Sequence, residues 1–292
     1  MKIAILGAES THANDFAIKM APKDGKVMLS DVELVGVYAD KELADSDMGV
    51  RAILKNSSCQ CVTDQCDAFV EQVDGVMITS RHGSKHLKYA RPYLEKGIPV
   101  WIDKPICCSI EDVLELMKLA DKHSVSVCGG SSLVFSKEIR ELAAYVKENR
   151  GTVCGGHITA PIHMDSQYDG FWFYASHAVQ MMLEIFGTDV RRVTAVRERN
   201  AVRACYEYDD LSVSVYFGTG YTVTLYKDDY HAELCQVSTG DCEEELKEFL
   251  QVIGNGNTQK SRKEWIAPVF LIDATKRSYE QNRTIEIMIP EL

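Results

Sequence analysis

The chain has 292 residues, 46% of them apolar, and a formal net charge of −11. That apolar content builds a substantial core and excludes a disordered or fibrous class. The acidic balance excludes the clustered Lys and Arg on which nonspecific nucleic-acid binding depends. No apolar run reaches the roughly 20 residues needed to cross a bilayer, and the apolar start of the chain is not organised as a signal peptide. The expectation is a cytoplasmic protein whose partner is a small molecule, with no nucleic-acid or membrane partner.

In chain order, residues 2–7 read KIAILG, a buried strand ending in Gly7, followed by Ser10, Thr11 and a helix through Met20. Val32–Ala39 gives a second strand with Asp40 at its carboxyl end, and Asp74–Thr79 a further buried strand. A helix over about Ser84–Lys96 follows; it contains Pro92, which removes a backbone donor, and stops at Gly97 as its C′ residue. Val100, Trp101 and Ile102 form the next strand, with Asp103, Lys104 and Pro105 emerging at its carboxyl edge. Ser109–Asp112 resembles a capping box for a helix with Val113, Leu116, Met117 and Ala120 on one face. Val125–Cys128 is another strand. Strands alternating with helices imply a doubly wound parallel sheet over residues 1–130.

From 131 to 292 the pattern changes to a second α/β domain. Strand candidates Arg192–Val196, Leu211–Phe217, Tyr221–Tyr226 and His231–Val237 come in succession, with turn chemistry at Phe217–Gly220. They predict a mostly antiparallel open sheet flanked by helices near Gly170–Phe186, Asp241–Ile253 and Glu264–Gln281. Cys59, Cys61 and Cys66 follow a C-x-C-x4-C spacing with no matching Cys/His pair at structural-zinc distance, so no metal is expected and the ten cysteines read as free thiols.

Open parallel sheets bind ligands at the carboxyl edges of their strands. The turn after the first strand reads Gly7-Ala-Glu-Ser-Thr-His12 and keeps only the first glycine of G-x-G-x-x-G. Ser10 and Thr11 offer donors to a pyrophosphate, whereas the Glu9 carboxylate repels one. Asp40 suits the hydroxyls of an adenosine ribose and favours NAD over NADP, with Lys41 softening that preference. Lys104 sits in the crevice. His177 lies on a helix that is apolar almost all round, where it is a hydrogen-bonded core residue or an acceptor for a hydroxyl proton.

Gly7, Asp40, the run DGVMITSRHGSKH from Asp74 to His86, GIPVWIDKP from Gly97 to Pro105, and SHAVQMMLEIFG around His177 together resemble the glucose-fructose oxidoreductase / inositol dehydrogenase (Gfo/Idh/MocA) family. The resemblance implies a Rossmann domain, a second domain whose open sheet forms an oligomer interface, and a homo-oligomer, dimer or tetramer. It further implies NAD, or NADP, as cofactor for oxidation or reduction of a sugar, polyol or related hydroxy compound. It assigns Lys104 and His177 as catalytic. Gly7, Ser10, Thr11, Asp40, Thr79, Ser80, His86, Asp103 and Lys104 fall on its cofactor side, with His163, Tyr168 and Asp169 as substrate contacts. Three departures stand out: Phe173 replaces the family's catalytic aspartate, Asp103 replaces a glutamate, and Glu9 with His12 interrupts the glycine pattern. Asp165 or Asp169 is a candidate substitute carboxylate. The alternative is a ligand-binding or regulatory protein on the same fold with a degenerate nucleotide site, or redox-neutral chemistry in which bound NAD is recycled.

Overall fold

The structure, a computed structural model, describes residues 1–23, 32–228, 231–238, 240 and 242–291. The chain divides into two compact units, one of residues 1–107, 111–130 and 242–260, the other of 108–110, 131–241 and 261–292. A single cut at 130/131 differs from this division at two places: 108–110 go with the second unit, and 242–260 rejoin the first.

The first unit runs β1 (Lys2–Leu6), α1 (Thr11–Met20), β2 (Glu33–Tyr38), α2 (Ser46–Asn56), β3 (Val62–Thr63), β4 (Gly75–Ile78), α3 (His86–Leu94), β5 (Val100–Asp103), α4 (Ile110–Lys122) and β6 (Val127–Gly130). All six strands are parallel, in the order β3-β2-β1-β4-β5-β6. This is the doubly wound order whose direction reverses between β1 and β4, opening a ligand crevice at their carboxyl ends. β4 and β5 are buried along their whole length, which is why they read as unbroken apolar runs. Gly97 ends the α3 segment with φ +71°, and Ile98 N–H donates to Tyr93 O across it, the expected left-handed stop.

The second unit contains α5 (Lys137–Asn149), β7 (Val153–Pro161), α6 (Phe171–Phe186), β8 (Arg192–Arg197), β9 (Val202–Glu207), β10 (Ser212–Gly218), β11 (Thr222–Lys227) and β12 (Ala232–Gln236). Next in the chain is α7 (Cys242–Asn255), which belongs to the first unit, and then α8 (Arg262–Gln281) and β13 (Ile285–Glu286) complete the second. Asp241, expected to open α7, lies outside the described residues. The sheet order is β12-β11-β7-β10-β9-β8-β13, antiparallel except for the β7–β10 pair. β10 and β11, separated by the Phe217–Gly220 turn, are not neighbours, because β7 lies between them. α6 is buried except for Tyr174 and Glu184, and α8 opens on a capping box between Ser261 and Glu264.

All ten cysteines are free thiols, and among the described residues no helix is long and apolar enough to cross a membrane. α2 presses on the β1–α1 turn: a Cβ on Gly49 would stand 1.8 Å from Ala8 O. Gly→Ala inside a helix ordinarily stabilises by about 1 kcal/mol. Here Gly49→Ala should instead destabilise by about 1–3 kcal/mol, the range for overpacking, as read from the midpoint of urea unfolding.

Candidate functional site

Gly7 turns the chain out of β1 with φ +115°, and a Cβ there would meet the backbone N of Ser80 at 2.3 Å. Glycine is therefore required where β1 and β4 part. Thr79 O–H donates to Gly7 O at 3.0 Å from a fully buried position. Ser10 caps α1 by accepting from His12 N at 3.2 Å, while Thr11 is exposed at the helix start. Glu9 is folded inward with 4% exposure. Its Oε1 accepts from Ser80 Oγ at 2.6 Å and Arg81 N at 3.0 Å, and its Oε2 is buried without a hydrogen-bond partner.

Asp40, one residue past the Ala39 that follows β2, is 6% exposed. Its Oδ1 accepts from Glu42 N at 3.0 Å, and its Oδ2 from Lys85 Nζ at 2.8 Å and Tyr89 O–H at 2.6 Å. Burial pushes the carboxyl upward, but the bonds from Lys85, Tyr89 and Glu42 N outweigh it and bring it to about 2. His86 is fully buried with its two ring nitrogens against Ser80 O and Ile106 O, at 2.8 and 3.1 Å. Thr79, Ser80 and His86, expected on the cofactor side, have no exposed surface. Thr79 and Ser80 hydrogen-bond to Gly7 and Glu9 of the turn after β1, and His86 holds Ser80 O.

Asp103 ends β5 with 2% exposure. Its Oδ1 accepts from Lys104 N at 2.7 Å, and its Oδ2 is 2.8 Å from His12 Nδ1. Burial would raise the Asp103 carboxyl, but His12 and Lys104 hold it low. The Asp103 carboxylate in turn raises His12 to about 9 against the opposing effect of burial. Lys104, 7% exposed, is pulled below its ordinary value by burial, with Asp103 opposing. Glu245 on α7 is fully buried, and neither carboxyl oxygen has a hydrogen-bond partner. Burial lifts it to about 8, with His12 pulling the other way.

In the second unit, His177 is 8% exposed and its Nδ1 is hydrogen-bonded to Ser131 Oγ at 2.7 Å. Ser131 N donates to Gln180 Oε1, one turn further along α6, at 2.8 Å. One imidazole nitrogen is thus committed to a serine. Around it stand aromatic rings: Tyr221 at 5.6 Å and Tyr174 at 6.5 Å between centroids. Phe173 packs on Tyr174 at 4.9 Å and on Tyr168 at 5.2 Å, and His163 lies 5.3 Å from Tyr174. His163, Tyr168, Phe173 and His177 therefore belong to one cluster. Asp165 is exposed, and Asp169 is half-buried with φ +61° ahead of Gly170.

Residues 1–131 match the model of an oxidoreductase family with an NAD-binding Rossmann fold, Gfo/Idh/MocA. Over nearly the whole chain the fold matches scyllo-inositol dehydrogenase from Lactobacillus casei, solved with NAD(H) and scyllo-inositol bound, at 14% identity and TM-score 0.79, covering 98% of each chain. It also matches myo-inositol 2-dehydrogenase from Lactobacillus plantarum at 12% identity and TM-score 0.80, covering 99% of each. At such identities the likeness is one of fold. No curated protein matches the sequence.

The first unit fits a dinucleotide at one end and opposes it at another. Asp40 is an ionised acceptor at the strand end where the fold meets an adenosine ribose. Glu9 carries a carboxylate where the pyrophosphate approaches. Sequence reasoning missed Ser131, Glu245, Lys85 and Tyr89. Glu245 alone left a signal, since its i+4 and i+7 neighbours Phe249 and Val252 are core residues and put it on the apolar face of α7.

The His12–Asp103 pair sets a stability prediction. Removing one partner of a buried pair strands the other charge and costs about 3–5 kcal/mol. His12→Ala should lose stability on that scale at pH 6.5, and His12→Ala with Asp103→Ala should lose less than the sum of the single losses. Because folding raises the His12 pKa from 6.5 to about 9, its contribution is full below pH 6.5 and is lost as the pH rises through 9. The gap between wild type and His12→Ala in urea unfolding should shrink across that window.

Proposed function

We propose that the protein is an NAD(P)-dependent oxidoreductase that transfers hydride between the nicotinamide cofactor and a sugar, polyol or related hydroxy compound. The observation that carries this reading is the match of residues 1–131 to an NAD-binding Rossmann family, with Lys104 directly after β5. Two fold relatives whose names make them inositol dehydrogenases support the substrate class. NAD, when bound, supplies the hydride acceptor or donor. Asp40 holds the adenosine ribose by accepting from its hydroxyls, and the Gly7–Thr11 turn meets the pyrophosphate. The Lys104 ammonium stabilises negative charge on the reacting oxygen. His177 takes the hydroxyl proton in oxidation or returns it in reduction, its ring held by Ser131. His163, Tyr168 and Asp169 are the proposed substrate contacts.

Lys104→Ala and His177→Ala should each reduce kcat by about 100-fold or more, the usual worth of a positioned acid–base or charge-stabilising group, in assays of NAD reduction with polyol substrates. Unchanged turnover in both variants overturns the roles.

A second reading is favoured by Glu9: a ligand-binding or regulatory protein whose nucleotide site has degenerated. Calorimetric titration of wild type and Glu9→Gly with NAD separates the two. The oxidoreductase reading expects binding by the wild type and a gain of about tenfold, equal to 1.4 kcal/mol, in Glu9→Gly. Binding that appears only in Glu9→Gly supports degeneration.

A further inference from the structure

A carboxylate just past the second strand of a doubly wound sheet accepts from ribose hydroxyls and repels a 2′-phosphate. Asp40 is such a carboxylate, but it is already engaged. An ionised carboxyl group offers about four acceptor positions. Lys85 Nζ and Tyr89 O–H occupy those on Oδ2, and Glu42 N–H takes one on Oδ1. One position on Oδ1 is left, where a ribose edge with two free hydroxyls would use two.

Among the three donors, Tyr89 is fully buried and Glu42 contributes only its backbone. Lys85 is different. It closes the short turn Gly83–Lys85 between β4 and α3, and 24% of its side chain is exposed. Its ammonium carries three N–H donors. One goes to Asp40 Oδ2 at 2.8 Å, and Glu42 Oε2 stands 3.6 Å away. The Glu42 side chain is 81% exposed, so that contact is weak and easily given up. Lys41, expected from the sequence to soften the preference for NAD, pairs with Asp64 on the solvent side instead. The cation that meets Asp40 is Lys85, 45 residues further along the chain.

We propose that Lys85 is a specificity-determining residue at the adenosine end of the crevice: it offsets the Asp40 charge and offers its ammonium to a 2′-phosphate, so that the protein takes NADP as well as NAD. A phosphate group meets the ammonium in a charge-assisted hydrogen bond and displaces the exposed Glu42 carboxylate from it. A ribose without the phosphate keeps the remaining position on Asp40. The proposal rests on the dinucleotide reading of this unit.

Calorimetric titration of the full chain with NAD and with NADP reads the preference directly. The two should bind the wild type within about tenfold of each other. Lys85→Met should lower the affinity for NADP relative to NAD by about tenfold or more, while NAD still binds, which also shows that the variant is folded. Lys85→Arg, which keeps the charge, should restore the wild-type ratio. A wild type that prefers NAD by more than about a hundredfold overturns the proposal, as does an equal loss for both dinucleotides in Lys85→Met. AMP and adenosine 2′,5′-bisphosphate are titrated alongside, because they reach the adenosine end without the nicotinamide half. If these two bind and the dinucleotides do not, the oxidoreductase reading fails, and their ratio in wild type and Lys85→Met still decides the role of Lys85. If none of the four binds, both readings fall.

Discussion

A single buried carboxylate governs the candidate site in the first unit. Asp103 ends a fully covered strand, where an ionised group is tolerated only with partners on its oxygens. Lys104 N–H supplies one and the His12 imidazole the other. The third position of the dinucleotide fingerprint ordinarily calls for glycine so that helix and strand can pack closely. Histidine there needs a reason, and a carboxylate 2.8 Å away is one. Asp103 is one methylene shorter than the glutamate expected there from the family resemblance, and it is this shorter carboxylate that meets the ring. Two departures that look unrelated along the chain are one contact in space.

The parallel unit was legible because strands buried on both faces appear as uninterrupted apolar runs and because Ser10 and Gly97 mark helix ends. The second unit was legible only in part. β7 is its pivotal strand, with β11 on one side and β10 on the other, yet VCGGHITAP reads poorly as a strand because of its two glycines. Their reason is tertiary: Gly155 has φ +150° beside Ser212 O, and a Cβ on Gly156 would strike Phe186. Likewise, a turn at Phe217–Gly220 carries no record of whether the strands it joins are paired. Nor does the composition of residues 242–260 record that they return to the first unit. A Cβ on Gly75 of β4 would meet Phe249 and Ile253 of α7, a contact that exists only once the chain has folded.

At the candidate site, residues displayed by local structure were legible and their partners were not. Lys104 and Asp40 follow from the ends of strands, and His177 from a polar residue on an apolar helix. Ser131, Lys85 and Tyr89 act through contacts 46, 45 and 49 residues away along the chain, and no local pattern encodes such pairs. His177 shows the difference most plainly. Phe173, one turn before it, joins Tyr168 and Tyr174 in an aromatic cluster, and the partner that orients the imidazole comes from the residue after β6.

The two carboxylates of the nucleotide crevice differ in how completely they are satisfied, and that difference bears on the proposed cofactor. Asp40 has a lysine, a tyrosine hydroxyl and a backbone N–H on its oxygens. It is ionised without strain and can accept further from a ribose. Glu9 has donors on one oxygen only, the other being buried and empty of partners. A pyrophosphate brought beside this carboxyl group adds negative charge in a region of low dielectric. In the oxidoreductase reading, binding free energy is therefore concentrated at Asp40 and at the lysine end of β5. The turn between them contributes less than it does where the glycine pattern is intact.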